Sequence, residues 1–161
     1  MPIPHSGRSR RSVPFVGYWH RACRIAVPET VRVLLVDDNA EILERAAAVL
    51  SPGFEIVGEA RDGSAALEAV RILRPHVIVL DISMPGMCGL EVAARLRAEA
   101  SRTAVVFLTI HQDEELVKAA RSVGGVGYVL KTRLASDLPV ATLRASCGDR
   151  FASPRIPDGL W

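Results

Sequence analysis

The 161-residue sequence contains few cysteines, few aromatic residues and no long apolar run. Its three cysteines lie far apart without C-x-x-C spacing, which predicts neither a zinc site nor a disulfide framework. No stretch of 18 or more consecutive apolar residues is present, so we expect no membrane span and no membrane partner. Together these absences are typical of a protein of the reducing cytoplasm.

Charge of one sign is also not in large excess, since the formal net charge is +2. The basic residues are unevenly placed, because residues 1–29 contain five arginines and a single acidic residue, Glu29. The remainder is slightly acidic, which argues against nucleic-acid binding by the main body. Residues 1–29 also mix Pro, Ser and Gly without periodicity, and this pattern predicts a flexible basic extension.

Five apolar runs alternate with amphipathic segments from Val31 onward. The runs are VRVLLV, FEIVGEA, HVIVLDI, AVVFLTI and VGYVLK, and the segments between and after them are 39–51, 62–73, 89–99, 112–122 and 134–146. These segments place apolar residues three and four apart, as helices do. Strands that are apolar on both faces and alternate with helices indicate a parallel sheet between helical layers. We predict an α/β fold over residues 30–147, a doubly wound five-stranded parallel sheet with helices on both faces.

Polar residues stand where four of the predicted strands end. The first strand ends in Asp37 and Asp38, the third in Asp81, the fourth in Thr109 and the fifth in Lys131. Open α/β sheets bind ligands beyond the carboxyl ends of their strands. The sequence therefore predicts that these five side chains converge on one rim of the sheet.

Each of these residues also has a purely structural explanation. Asp38 with Glu41 three residues later resembles a helix-capping pair, and Asp81 could stabilise the turn SMPG that follows it. Thr109 could be an ordinary strand residue, since threonine is common in β-strands. Lys131 could be a solvated surface charge. The occurrence of all these residues at strand ends of one fold indicates a site more strongly than any one of them does alone.

The chemistry predicted for this rim is magnesium binding and phosphoryl transfer. At a separation of ~4.5 Å and an effective dielectric constant of roughly 20, two carboxylates repel by about 3 to 4 kcal/mol. A hard cation such as Mg²⁺ relieves that repulsion. Asp81, which stands singly, is the expected nucleophile for a phosphoryl group. Lys131 and Thr109 would then provide a positive charge and a hydroxyl for the phosphoryl oxygens.

Four segments, LLVDDN, VIVLDISMPGMCGLE, VVFLTIH and GYVLK, resemble the receiver domain of two-component response regulators in order and spacing. The resemblance implies a flavodoxin-like fold in which Asp81 is the phosphoacceptor and Thr109 and Lys131 contact the phosphoryl group. It also implies that Asp38, Asp81 and the backbone carbonyl of Ser83 bind Mg²⁺, and that Asp37 helps through water. Tyr128 matches the family's switch aromatic; a partly exposed strand residue is the alternative. Ser83 and His111 would tune the hydrolysis rate.

The segments LTIHQDEE and GDRFASP resemble the response regulator subfamily that carries a C-terminal helix-turn-helix domain. We expect residues 148–161 to be a linker-like tail without an output domain. The resemblance implies a signalling protein, not an enzyme beyond its own phosphotransfer and dephosphorylation. Its partners would be a sensor histidine kinase or phosphotransfer protein, with homodimerisation possible through residues 112–146 and nucleic acid an unlikely partner without an output domain.

Two other functions compete with a signalling receiver. A truncated or DNA-binding transcriptional regulator would need a lost C-terminal domain or the arginine-rich extension as its DNA contact. A phosphatase with an aspartate nucleophile would require a D-x-D signature, whereas this chain has Asp81, Ile82 and Ser83. The sequence therefore favours the receiver.

Overall fold

The structure is a computed structural model that describes residues 29–157 and 159–161. Its strands are β1 (Arg32–Val36), β2 (Glu55–Ala60), β3 (Val77–Leu80), β4 (Ala104–Thr109), β5 (Gly127–Leu130) and β6 (Phe151–Ala152). Its helices are α1 (Ala40–Leu50), α2 (Gly63–Leu73), α3 (Gly89–Ala98), α4 (Glu114–Ser122) and α5 (Leu134–Ser146). A short 3₁₀ turn, Lys131–Arg133, joins β5 to α5. The predicted extension, residues 1–29, lies outside the described residues except for Glu29.

The strands form one parallel sheet in the order β2-β1-β3-β4-β5-β6. The predicted doubly wound α/β fold is confirmed. The predicted number of five strands was wrong, because β6 adds a sixth at the β5 edge with Phe151 opposite Gly127 and Ala152 opposite Tyr128. Residues 148–161, expected to be linker-like, thus contribute to the sheet. Two paired residues are too few to produce the alternation that identifies a strand in a sequence.

Successive residues of a strand face opposite sides of the sheet, which explains why the strands are apolar throughout. In β1, Leu34 and Val36 belong to the core beneath α2, α3 and α4. Val33 and Leu35 belong to the core beneath α1 and α5. Each fully buried Val or Leu contributes roughly 1.5–3 kcal/mol, so both layers are held by burial. The sheet edge where the strands end is then fixed in place.

Helix capping settles one alternative. The side chain of Asn39 caps α1 by accepting the Glu41 backbone N–H at 2.9 Å. The suggestion that Asp38 caps this helix was therefore wrong, and its carboxylate is left at the rim. Asp62 caps α2 by accepting the Ala65 N–H at 2.8 Å.

Among the described residues, no helix has the length and apolar character required to cross a membrane. Cys88 is a free thiol.

Candidate functional site

Three carboxylates meet at the carboxyl ends of β1 and β3. These strands are neighbours in register, so Asp37 and Asp81 follow paired residues of the sheet. Together with Asp38, each offers a carboxylate oxygen, and these oxygens lie within 4.8 Å of one another. Asp37 and Asp81 are only 2 % and 3 % exposed, while Asp38 is open to solvent. The structure thus places the predicted acidic residues side by side.

Lys131 follows β5 at the same rim, and its long side chain reaches the acidic cluster. Its Nζ lies 2.7 Å from Asp37 Oδ2 and 3.1 Å from Asp81 Oδ2. Burial alone would lower the pKa of Lys131, but the two carboxylates outweigh it and raise that pKa above its ordinary value. Lys131 is therefore a fixed positive charge beside Asp81, and the solvated surface position considered for it is excluded.

The acidic cluster fits a hard divalent cation. Burial raises the pKa of Asp37 despite its contact with Lys131. The Oδ2 atom of Asp37 is buried and lies 2.7 Å from the Lys131 ammonium. Three clustered carboxylates, two of them buried, are the kind of oxygen donor set that Mg²⁺ prefers. Ser83 lies next to them, since its N–H contacts Asp81 Oδ1 at 3.3 Å.

Thr109 ends β4 at the same rim and is fully buried. Its Oγ1 accepts a hydrogen bond from the His111 backbone N–H at 3.2 Å. No acceptor for its own hydroxyl proton is found within the described part of the chain. The Thr109 hydroxyl is therefore available to donate to an oxygen atom that arrives at the rim.

His111 connects three parts of the site. Its Nε2 lies 2.7 Å from Ser83 Oγ, which joins the loop after β4 to the loop after β3. Its backbone N–H contacts Thr109, and its carbonyl accepts the Tyr128 hydroxyl at 3.1 Å. The sequence places Ser83 and His111 each two residues beyond a site residue, but gives no indication that they touch.

Tyr128 is 0 % exposed, so its alternative as a partly exposed strand residue was wrong. Burial, with a smaller contribution from the charge of Asp113, raises the pKa of Tyr128 to about 12. Its phenol therefore stays protonated and donates to His111. Through His111, the position of the Tyr128 ring is connected to the Thr109 hydroxyl by two hydrogen bonds.

Gly89 is a site residue that sequence reasoning missed. Its N–H donates to the Ile82 carbonyl at 2.9 Å, which ties the start of α3 to the loop after β3. A Cβ atom at this position would lie 2.1 Å from the Asp81 carbonyl oxygen. Only glycine permits this approach. The second glycine of PGMCG was the available signal.

With this geometry established, comparison with known proteins assigns the family. The response regulator receiver domain family matches residues 33–142. The chain belongs to this receiver domain family. This receiver domain is 34 % identical to the nitrate/nitrite response regulator NarL of Escherichia coli K12, over 80 % of the chain and 60 % of that protein. It is 36 % identical to the transcriptional regulatory protein LiaR of Bacillus subtilis, over 74 % of the chain and 57 % of that protein.

Solved structures agree with this assignment of the receiver domain. The signal receiver domain of NarL from Mycobacterium tuberculosis matches with a TM-score of 0.72 and 36 % identity, covering 75 % of this chain and 99 % of that one. A LuxR-family response regulator from Aurantimonas sp. SI85-9A1 matches with a TM-score of 0.75 and 30 % identity, covering 79 % of this chain and 92 % of that one. The chain spans about three fifths of the length of the curated relatives it matches.

Proposed function

We propose that this receiver domain accepts a phosphoryl group on Asp81 from a sensor histidine kinase or phosphotransfer protein. The observation that supports this most is the position of the Asp81 carboxylate. It is buried, lies 3.1 Å from the Lys131 ammonium and belongs to a cluster of three carboxylates. Such a cluster with one fixed cation suits phosphoryl transfer, in which positioning and charge stabilisation dominate.

The proposed step exchanges one bond to phosphorus for another. An Asp81 carboxylate oxygen forms a bond to the phosphorus while the bond to the donor's histidine nitrogen breaks, and the proton needed by that nitrogen comes from solvent. Mg²⁺ would supply charge neutralisation for the phosphoryl oxygens. Asp37, Asp38, Asp81 and the Ser83 carbonyl would hold it. Lys131 would pair with a phosphoryl oxygen and Thr109 would donate its hydroxyl to another.

The proposed output is protein contact through residues 112–146, which comprise α4, β5 and α5, with homodimerisation as one form of it. The support is the route from the rim to this region, where Thr109 is linked to His111 and His111 to Tyr128. A phosphoryl group that draws on the Thr109 hydroxyl would bias the position of Tyr128. A signalling role of this kind needs no turnover of an external substrate. Its location would be cytoplasmic, where histidine kinases obtain phosphate from ATP.

The alternative proposal is a DNA-binding transcriptional regulator, and its support is that the relatives are named as transcriptional regulators. The described residues form the receiver fold and its β6 edge, which is the part that carries the phosphoacceptor proposal. The predicted contact through the arginine-rich extension falls on residues that the structure does not describe.

The test is labelling by acetyl phosphate with and without Mg²⁺, followed by intact-protein mass. We expect one phosphoryl group per chain with Mg²⁺, none with a chelator, and none in Asp81→Asn. Asp149→Asn is the matched control, because Asp149 is exposed and far from the rim, and it should label normally. Equal labelling of Asp81→Asn and the unmodified chain would refute the proposal.

A further inference from the structure

The segment that follows α5 is docked on the edge of β5. We call residues 151–157 and 159–161 the β6 segment. The Phe151 N–H donates to the Val126 carbonyl at 3.0 Å, and the Ser153 N–H donates to the Tyr128 carbonyl at 2.9 Å. The strand pairing therefore fixes the β6 segment directly beside Tyr128.

Ser153 anchors this segment through a buried polar network. The residue is 1 % exposed, and its hydroxyl donates to Asp137 Oδ2 at 2.7 Å while accepting the Leu130 N–H at 3.1 Å. A buried hydroxyl with both partners in place specifies one arrangement, since any shift leaves polar groups unsatisfied. Leu130 immediately precedes Lys131, so the anchor lies one residue from the site.

Trp161 covers Tyr128. The two ring centroids lie 5.4 Å apart with planes inclined by 56°, a favourable tilted arrangement. The indole Nε1–H donates to the Val126 carbonyl at 3.2 Å, and Arg121 of α4 donates to the Leu160 carbonyl at 3.2 Å. Ile156 is 5 % exposed and packs in the same core cluster as Tyr128. The β6 segment thus spans from β5 to α4.

A single position of the Tyr128 ring satisfies both of its neighbours. Its hydroxyl reaches the His111 carbonyl, whose residue also contacts Thr109, and its ring packs on Trp161. Movement of the ring away from the core would break the hydrogen bond and the ring contact together. Two events that stabilise the same conformation are thermodynamically coupled, and each strengthens the other by the same factor.

We propose that the β6 segment is a clamp on Tyr128, and that its docking and the phosphorylation of Asp81 favour each other. This inference rests on the proposed phosphoacceptor function and adds its regulation. A docked β6 segment holds Tyr128, and through His111 the Thr109 hydroxyl, in the arrangement that a phosphoryl group uses. It also contacts α4 through the Leu160 carbonyl, so it forms part of the surface proposed for protein contact.

The experiment uses the full chain with beryllofluoride and Mg²⁺ as the phosphoryl mimic. Beryllofluoride affinity is measured by fluorine NMR, which does not depend on tryptophan. We expect Trp161→Ala to bind beryllofluoride about tenfold more weakly than the unmodified chain. Ile72→Ala is the matched control, because Ile72 is a large apolar residue that is 70 % exposed on α2, and its affinity should not change. Thermal unfolding verifies that each variant is folded.

A second measurement reads the clamp itself. The chain has two tryptophans, so a Trp19→Phe background leaves Trp161 as the only indole. Beryllofluoride should then reduce quenching of Trp161 by acrylamide. Arg121→Ala, which releases the Leu160 carbonyl, should weaken beryllofluoride binding in the same direction and serves if Trp161→Ala does not fold.

Equal beryllofluoride affinities with unchanged quenching would overturn the clamp and leave the phosphoacceptor function intact. No beryllofluoride binding by the unmodified chain would overturn the phosphoacceptor function and the clamp with it. The two failures are therefore distinguishable in one set of samples.

Discussion

The Lys131 ammonium lies 2.7 Å from Asp37 Oδ2, although these residues follow strands that are separated by two others in the sheet. The long lysine side chain thus places a positive charge among the carboxylates that are expected to hold Mg²⁺. Two cations that share one set of carboxylates repel each other, even though both are needed for phosphoryl transfer. Lys131 is therefore expected to weaken Mg²⁺ binding while it favours phosphoryl transfer.

Replacing Lys131 by Met should raise the affinity for Mg²⁺ and lower the rate of phosphorylation. We expect the affinity for Mg²⁺ to rise roughly tenfold, because a like charge is removed from the metal site. Labelling by acetyl phosphate should fall by roughly 10²-fold, because a charge that stabilises the phosphoryl oxygens is lost. Calorimetric titration measures the first quantity and the labelling rate measures the second.

Lys118→Met is the control for this charge change. Lys118 is exposed and pairs only at 3.5 Å with Glu114 of the same helix, so both quantities should stay unchanged. Weaker Mg²⁺ binding by Lys131→Met would contradict the idea that the ammonium and the metal compete.

Gly89→Ala should distort the loop that carries Asp81. The added Cβ atom would meet the Asp81 carbonyl at 2.1 Å, and backbone cannot yield as a flexible side chain does. Overpacking of this kind costs about 1–3 kcal/mol of the free energy of unfolding, and Mg²⁺ binding should weaken with it. Gly53→Ala is the matched control, since nothing lies within 4 Å of its Cβ position. Chemical denaturation and Mg²⁺ titration of both variants check the prediction, which fails if the two behave alike.

The fold and the position of the acidic cluster could be predicted because they depend on repeated patterns. Both faces of β1 and β3 are apolar, which requires helices on each side of the sheet. Parallel strands end at one edge, so Asp37 and Asp81 were expected at the same rim without knowledge of individual contacts. The pairing of β1 with β3, which the structure shows, then brings them close together.

Features that depend on tertiary contacts could not be predicted in the same way. The capping of α1 by Asn39 rather than Asp38 depends on where the chain leaves β1. The strand β6 is too short to show a periodicity. It forms because it pairs with the edge of β5 and the Ser153 hydroxyl donates to Asp137. The need for glycine at position 89 arises only when α3 is packed against the loop after β3.

Tyr128→Phe should lower stability by about 0.5–1.5 kcal/mol, because it removes the hydroxyl that donates to the His111 carbonyl while retaining the ring. Thr142→Val is an informative counterpart. The Thr142 hydroxyl is also buried but has no hydrogen-bond partner within the described residues, so its removal should be neutral or stabilising. Urea denaturation of the two variants compares a satisfied with an unsatisfied buried hydroxyl. Equal losses in both would show that the Tyr128 hydrogen bond contributes nothing specific.

Asp137→Asn should destabilise the protein in a pH-dependent manner. Burial alone favours the neutral acid, but hydrogen bonds from Arg133, Ser136 and Ser153 outweigh it and hold the pKa of Asp137 below its ordinary value of 3.8. The carboxylate therefore contributes stability above that value, and the contribution is lost as the pH falls through the lowered pKa. Near neutral pH we expect a loss of about 1–3 kcal/mol in Asp137→Asn, shrinking in acid below the lowered pKa. Denaturant titrations at neutral pH and in acid below the lowered pKa check this. Asp149→Asn, at an exposed position, is the control and should match the unmodified chain at each pH. A difference between Asp137→Asn and the unmodified chain that does not change with pH would contradict the prediction.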